Sequence, residues 1–368
     1  MKKVLFLAAI AAVAMTGCSN DETISEQQAT KGNAVEFRAT VNNGVEATRA
    51  TTIDLDNLKD FRVTAAYYDT YTTASAYLMS GIPVVRAAGG ANTFTYAPIV
   101  YYSPNIEAGD HFHFFAFSPA GSPNVTAGTP AMTNTVVAAD AATAVLSYTV
   151  PLKDADGDAK QEDFLVARNA SDGASATAVA FTFDHALAKV TFSVKNSAPG
   201  TTVTVNSVKL VNMDNTGTLT MSADLVAAPP TSSIAWSMNT TYDQTYEMAI
   251  PTGGFAVLGN NAAYAAQTTI NEGLMVLPQA LAAWTGGAVA GDEPAATGEA
   301  YIEIKYKVTD GAGTEIVPED DYQFKFGGLT SLDYGHTYEL QLQYSGFGVA
   351  FAVTNVNGWQ AVAGQPIN

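Results

Sequence analysis

The sequence predicts an all-β protein, two β-sandwich domains behind an N-terminal export segment. Three observations lead there. Apolar and polar residues alternate with period two in many short runs, turn signals recur between those runs, and no long stretch has helical period. The alternation is the pattern of strands with one face in a core and one in water, and its recurrence at short intervals is that of a sandwich.

The chain opens on something else. Lys2 and Lys3 precede an apolar run from Val4 to Met15, and Thr16-Gly17-Cys18 comes next with small residues where a signal peptidase needs them. Residues 1–17 therefore read as an export signal; the run is shorter than the roughly 20 apolar residues that span a bilayer. Cys18 is the only cysteine, which excludes an internal disulfide framework and a cysteine-rich metal site. Its position after a small-residue step looks like a bacterial lipobox, with Cys18 acylated as the new N-terminus. An ordinary secretory cleavage site near a chance cysteine is the other reading, and Met15 in place of the usual leucine speaks for it. Residues 18–33, starting Cys18-Ser-Asn-Asp-Glu22, are polar and read as a tether.

Length and composition constrain the remainder of the chain. Its 368 residues, less signal and tether, hold two domains of ordinary size, and a hydrophobic content of 47% supports real cores. Lys+Arg number 17 against Asp+Glu 35, a formal charge of -18, so the surface repels nucleic acid and anionic headgroups.

The first sandwich is expected over residues 34–178. Val35, Phe37, Ala39 and Val41 alternate with Glu36, Arg38 and Thr40, giving a strand with one apolar face, and Asn42-Asn43-Gly44 ends it in a turn. Val45 to Thr52 is a polar, small-residue loop containing Arg49-Ala50, expected to be exposed and easily nicked. Strands are then expected at Phe61 to Tyr68, at Phe94 to Tyr102 (one strand or a pair, interrupted at Pro98), at His111 to Phe117 and at Thr143 to Val150. Ala, Gly, Ser and Thr dominate 119–144, 169–180 and 285–300, which read as loops, the middle one as the domain boundary.

The second sandwich is expected over 179–368, starting with the strand Phe181 to Val194. Its alternation changes phase at Ala186 to Ala188, suggesting a bulge or a bend into a new sheet. Further strands are expected at Val203–Val211, Thr218–Ser222, Tyr246–Ile250, Gly273–Leu277, Tyr301–Val308, Tyr322–Phe326, Thr337–Tyr344 and Phe347–Thr354.

Side chains with chemical potential are few. His111 and His113 sit two apart on one strand, a spacing found in some metal sites, but no third ligand is legible and ordinary strand histidines are the simpler reading. His185 and His336 read as structural. Asp154, Asp156 and Asp158 resemble the start of a calcium loop, yet Ala159 and Leu165 stand where glycine and glutamate are needed, favouring a solvated acidic turn. No H-E-x-x-H, G-x-S-x-G, phosphate-binding glycine loop or cysteine nucleophile occurs after the signal. No catalytic residue, metal or cofactor is implied; paired carboxylates for glycoside hydrolysis leave no short signature and stay open.

A set of short motifs resembles the fimbrillin family, the lipoprotein-derived subunits of type V pili on Gram-negative anaerobes. In order they are Thr16-Gly17-Cys18, Phe37-Arg38-Ala39, Thr48-Arg49-Ala50, Tyr101-Tyr102-Ser103-Pro104, Phe112 to Pro119 and Gln161 to Ala167. Phe183 to Phe192, Val276-Leu277-Pro278-Gln279, Gly335 to Leu340 and Gly358-Trp359 complete it. The resemblance implies two transthyretin-like (Ig-like) β-sandwich domains and a precursor lipidated at Cys18 and sent to the outer membrane surface. It also implies cleavage by an arginine-specific protease, which removes the first strand and opens a groove for a strand from a neighbouring subunit. Val35, Phe37, Ala39 and Val41 fit the strand that leaves, and Arg49 and Ala50 the cleavage site. Phe347, Val349, Phe351 and Val353 are a candidate donor strand, or else an ordinary last strand of the second sandwich.

The leading expectation is thus a non-enzymatic fimbrial subunit that polymerises with other subunits and supports adhesion. A monomeric surface lipoprotein that binds glycans is the alternative, and a secreted hydrolase a third. Stalk, anchor and tip roles are not separable in the sequence, nor is a receptor legible.

Overall fold

The structure is a computed structural model, and it describes residues 32–42, 58–69, 73–88, 92–104, 106, 111–125, 131–133, 141–152, 161–171, 177–224, 231–238, 241–260, 273–284 and 298–356. The described residues are strands and their connections. In chain order the strands of the first half are β1 (Phe37–Val41), β2 (Asp60–Asp69), β3 (Thr73–Arg86), β4 (Phe94–Thr95), β5 (His111–Ser118), β6 (Ala131–Thr133), β7 (Ala141–Thr149), β8 (Leu165–Ser171) and β9 (Val179–His185). Next come β10 (Ala188–Asn196), β11 (Thr201–Met213), β12 (Thr216–Asp224), β13 (Thr231–Met238), β14 (Gln244–Glu247), β15 (Phe255–Leu258) and β16 (Leu274–Val276). The last are β17 (Gln279–Ala280), β18 (Tyr301–Asp310), β19 (Glu315–Phe324), β20 (Ser331–Leu332), β21 (Thr337–Tyr344) and β22 (Val349–Val356). The fold is all-β, as the periodicity predicts.

The first sheet closes on itself in the order β1-β4-β3-β2-β5-β8-β9, joining the layers of the expected sandwich at their edges. The rest forms open sheets: β16-β10-β21-β22, β14-β11-β18-β19 with β15 also on β11, and β13-β12-β7-β6, with the small pair β17-β20. Two cores result. One fills the barrel around Phe37, Phe61, Phe114, Phe181 and Phe183. The larger lies between the open sheets around Leu146, Tyr148, Phe192, Val205, Ile304 and Leu340.

The barrel wall is shared. On β5, Phe112, Phe114 and Ala116 belong to the barrel core, while Phe115 and Phe117 belong to the larger one. Val166 of β8 faces the larger core, and Leu165 and Ala167 face the barrel. A strand buried on both faces has no solvent side to keep polar, which is why His111 to Phe117 departs from strict alternation at Phe114-Phe115. Gln161, in the Gln161-Glu162-Asp163 run just before β8, ties the halves together. Gln161 brackets Met275, donating to its carbonyl at 3.0 Å and accepting from its N–H at 2.7 Å. Glu162 accepts from Ser122 Oγ, from Asn124 Nδ2 and from the Tyr148 hydroxyl. Asp163 Oδ1 lies 2.9 Å from His185 Nδ1, with both side chains buried.

Strand membership corrects the sequence reading in three places. Phe181 to Val194 is not one strand opening a second half: β9 pairs with β1 and β8 in the barrel, whereas β10 pairs with β16 and β21. The chain changes sheet at Ala186-Leu187, later than the expected 178/179 boundary. That corner is pinned by Ala186 N–H donating to Phe164 O at 2.8 Å and Trp236 Nε1–H donating to Ala186 O at 2.8 Å. The phase change at Ala186 to Ala188 marks this corner. Next, β7, expected in the first sandwich, pairs along its whole length with β12. Finally, the last strand begins at Val349, not Phe347. Phe347 sits on the turn from β21, between Gly346 at φ 88° and Gly348 at φ 158°, and is fully exposed.

Candidate functional site

The closure of the barrel rests on one five-residue strand. β1 runs parallel to β9 in the register Phe37↔Val179 to Val41↔Phe183, and meets β4 antiparallel at the single pair Phe37↔Phe94. Its inward residues are those predicted: Val35, Phe37 and Ala39 are buried and Val41 is half-buried, while Glu36, Arg38 and Thr40 are exposed. Burying Val35 and Phe37 contributes about 3–6 kcal/mol as an upper figure.

Phe37 is the centre of the seam. Its ring packs on Phe61 (6.0 Å, 89°), Tyr96 (5.6 Å), Phe114 (6.1 Å) and Phe181 (5.7 Å, 14°), the edge-to-face and offset arrangements that aromatic quadrupoles favour. The residues touched come from β2, β5, β9 and the segment after β4, so removing one side chain opens a hole bordered by four elements.

Where β4 is too short to pair with β1, a side chain substitutes. Asn92 Oδ1 accepts from Ala39 N–H at 3.0 Å and Asn92 Nδ2 donates to Ala39 O at 2.7 Å, reproducing the two bonds of a strand neighbour. Upstream, Val35 N–H donates to Val100 O at 3.0 Å and Tyr102 N–H to Asn33 O at 2.9 Å. The Tyr96 hydroxyl donates to Val35 O at 2.7 Å, and burial pushes its pKa up to about 12. At the far end Asn42 N–H donates to Phe183 O at 2.7 Å and Asn42 Nδ2 to Asp184 Oδ1 at 3.1 Å. One full ladder on the β9 side is thus matched by separate clamps on the other. Nothing local in the sequence marks Asn92 for this role.

The other predicted positions fall variously. Cys18, Arg49, Ala50 and the Asp154 to Asp158 turn lie outside the described residues. In the candidate donor set, Val353 is buried, Val349 and Phe351 are half-buried against the larger core, and the Phe351 ring lies tilted against Phe324 at 4.6 Å. Phe347 does not share their face. β22 pairs in full with β21 and is the outermost strand of its sheet. His113 is buried on β5, and His336 lies 3.8 Å from Asp333 with its pKa lowered by burial. Among the described residues no group of three or more His, Cys, Asp or Glu is placed to hold a metal ion, and no helix is long and apolar enough to cross a membrane.

The fold and this seam define an all-β protein whose first sheet is sealed by a strand lying ahead of a long connection. The chain belongs to the fimbrillin-like family, whose profile matches residues 48–359. The match begins after β1. A fimbrial protein from Bacteroides vulgatus shares the fold at 14% identity and a TM-score of 0.54, over 88% of this chain and 99% of that one. A candidate cell adhesion protein from Bacteroides uniformis aligns at 16% identity and a TM-score of 0.44, over 88% of this chain and 98% of that one. No curated protein sequence matches.

Proposed function

We propose that this chain is a structural subunit of a cell-surface fimbria that supports adhesion, and that β1 is a temporary filler of the seat it occupies. In this reading the precursor is acylated at Cys18 and carried to the outer membrane. An arginine-specific protease cuts between Arg49 and Ala50, and β1 departs. A strand from a neighbouring subunit then takes the seat, with β22 (Val349, Phe351, Val353) as the candidate donor. Its partners are other fimbrial subunits, its work is mechanical, and it has no catalytic role.

The observation that supports this most is the seam itself. β1 is joined to the next strand only through residues 42–59, which include Arg49, so a cut there leaves it held by noncovalent contacts alone. An empty seat uncovers an apolar core and two strand edges together, and an incoming strand gains backbone hydrogen bonds and burial in one step. Membership of the fimbrillin-like family supports the same reading.

Limited trypsin treatment of the purified precursor tests it. The expected result is cleavage after Arg49, read by N-terminal sequencing, and oligomers that resist mild denaturation, with Arg49→Ala remaining monomeric. A stable monomer after cleavage, or an Arg49→Ala precursor that polymerises equally well, would sink the reading. For lipidation, labelled fatty acid incorporated into Cys18→Ala protein has the same force.

A further inference from the structure

A cleft of about 530 Å³ opens on the second half, lined by side chains from β13, β17, β20 and the turns beside them. That volume lies within the span of ligand pockets, about 300–1,000 Å³. Three half-buried aromatic residues border it, Trp236, Tyr242 and Tyr334, with Ser331, Asp333 and His336 as polar neighbours.

Two of the aromatic groups, Trp236 and Tyr242, are held in place before any ligand arrives. The Trp236 indole N–H is committed to Ala186 O, and the ring meets Tyr148 at 6.3 Å and 68°, so its plane is fixed. Tyr242 has a left-handed backbone, φ 47°, rare for a bulky residue and a mark of local constraint. Its constraint comes from Asp214, a buried carboxylate whose Oδ1 accepts from Tyr242 N–H and Thr241 N–H, both at 3.1 Å, and from Thr241 Oγ1 at 3.2 Å. Gln279 locks Asp214 in turn, accepting from its N–H at 2.8 Å and donating to its carbonyl at 2.9 Å. The fold thus uses a buried charge and a strained residue to present one tyrosine at the rim. Among the described residues no hydrogen bond engages the hydroxyls of Tyr242 or Tyr334.

The polar side is as specific. The Asp333 side chain is 58% exposed and accepts from Ser331 Oγ at 3.0 Å, leaving further lone pairs for a ligand. His336 is held below its ordinary pKa by burial, so at neutral pH its ring is uncharged, and with Nδ1 buried it is Nε2 that is left for a ligand. Among the described residues the lining contains no Lys or Arg, in a chain with a formal charge of -18. Arg168 acts electrostatically on Tyr334 but is nearly buried and lies 3.9 Å from Asp184, so an anionic ligand meets no cation in the lining itself.

We propose that this cleft binds a neutral saccharide of one or two rings, its C–H faces stacked on Trp236, Tyr242 and Tyr334 and its hydroxyls met by Asp333 and His336. Sugar faces are apolar and slightly positive at their C–H groups, which suits the negative face of an aromatic ring. Their edges are hydroxyls, which suit a carboxylate and a neutral imidazole. No residue of β1 is among those lining the cleft, so the site gives the subunit a glycan contact distinct from the seam.

Calorimetric titration of monomeric Arg49→Ala chain keeps failure of this proposal distinct from failure of the assembly reading. The probes are lactose, maltose, cellobiose and diacetylchitobiose, with sialyllactose as the anionic control. At least one neutral disaccharide is expected to bind and sialyllactose to bind far more weakly. Tyr242→Gly suits the left-handed backbone, so it is expected to weaken binding about tenfold or more without lowering the melting temperature. Asp333→Asn, at an exposed side chain, is expected to weaken it in the same direction. The proposal is overturned if no neutral probe binds at millimolar concentration, if both variants bind as the parent does, or if sialyllactose binds equally well. A synthetic peptide of residues 347–356 that binds at Trp236 and displaces the sugars would assign the cleft to a strand instead, and overturn it too.

Discussion

β1 and β22 are the first and last strands of the described residues, yet they hold the molecule in opposite ways. β1 has five residues and two neighbours, so taking it away turns a closed barrel into an open sheet. β22 has eight residues and one neighbour, so taking it away shortens an open sheet by a strand and leaves β21 as the new edge. The short strand has Phe37 at the meeting point of four rings, whereas the long one has Phe351 half-buried on a single ring and Phe347 in water. Length therefore says little about what a strand supports; closure and the depth of its anchors say more.

That contrast can be broken at several points, the largest first. Phe37→Ala should cost about 3–5 kcal/mol in chemical denaturation, since the hole it leaves is walled by four elements that cannot all collapse into it. Tyr96→Phe removes the hydroxyl that satisfies the buried Val35 carbonyl and should cost about 1–3 kcal/mol. Phe351→Ala, half-buried and in one ring contact, should cost about 1–2 kcal/mol. Phe347→Ser should change stability by no more than about 0.5 kcal/mol. If Phe351→Ala proves costlier than Phe37→Ala, the two strands have been ranked wrongly.

Alkaline titration sharpens the same comparison. The Tyr96 phenol keeps its proton to about 12 in the folded protein but loses it near 10 when unfolded, so its contribution is complete below pH 10 and is lost as pH rises through 12. The stability gap between the parent and Tyr96→Phe should therefore narrow across that interval, as denaturation series at stepped pH would show. A gap that widens instead contradicts the burial of Tyr96 against Val35.

Much of the seam was legible because it obeys a local rule. Val35, Phe37, Ala39 and Val41 alternate, and period two in sequence became one face in space. What the sequence concealed was pairing. Nothing local in β1 says that its partner is β9, about 140 residues on and parallel, nor that Asn92 replaces a missing strand. β7 was assigned to the wrong sheet for the same reason: its alternation reports a face, and partners are chosen by long-range fit. The doublet Phe114-Phe115 was a signal of burial on both faces that a search for clean alternation passes over. The cleft was hidden too, since Trp236, Tyr242 and Tyr334 are scattered in sequence and converge only once β13, β17 and β20 are placed.

The parallel pairing of β1 with β9 gives its seat a direction. Side chains must alternate inward in the β1 sense, hydrogen bonds must slant as a parallel ladder requires on one side, and Asn92 offers its amide at one fixed residue on the other. A strand entering from a neighbour meets a surface that distinguishes its beginning from its end. Contacts of that kind are head-to-tail, so in the proposed assembly they give a ring where the rotation between subunits closes and an open filament where it does not. Such a filament has unlike ends, one offering a vacant seat and the other an unused strand, and new subunits lengthen it by the same contact each time.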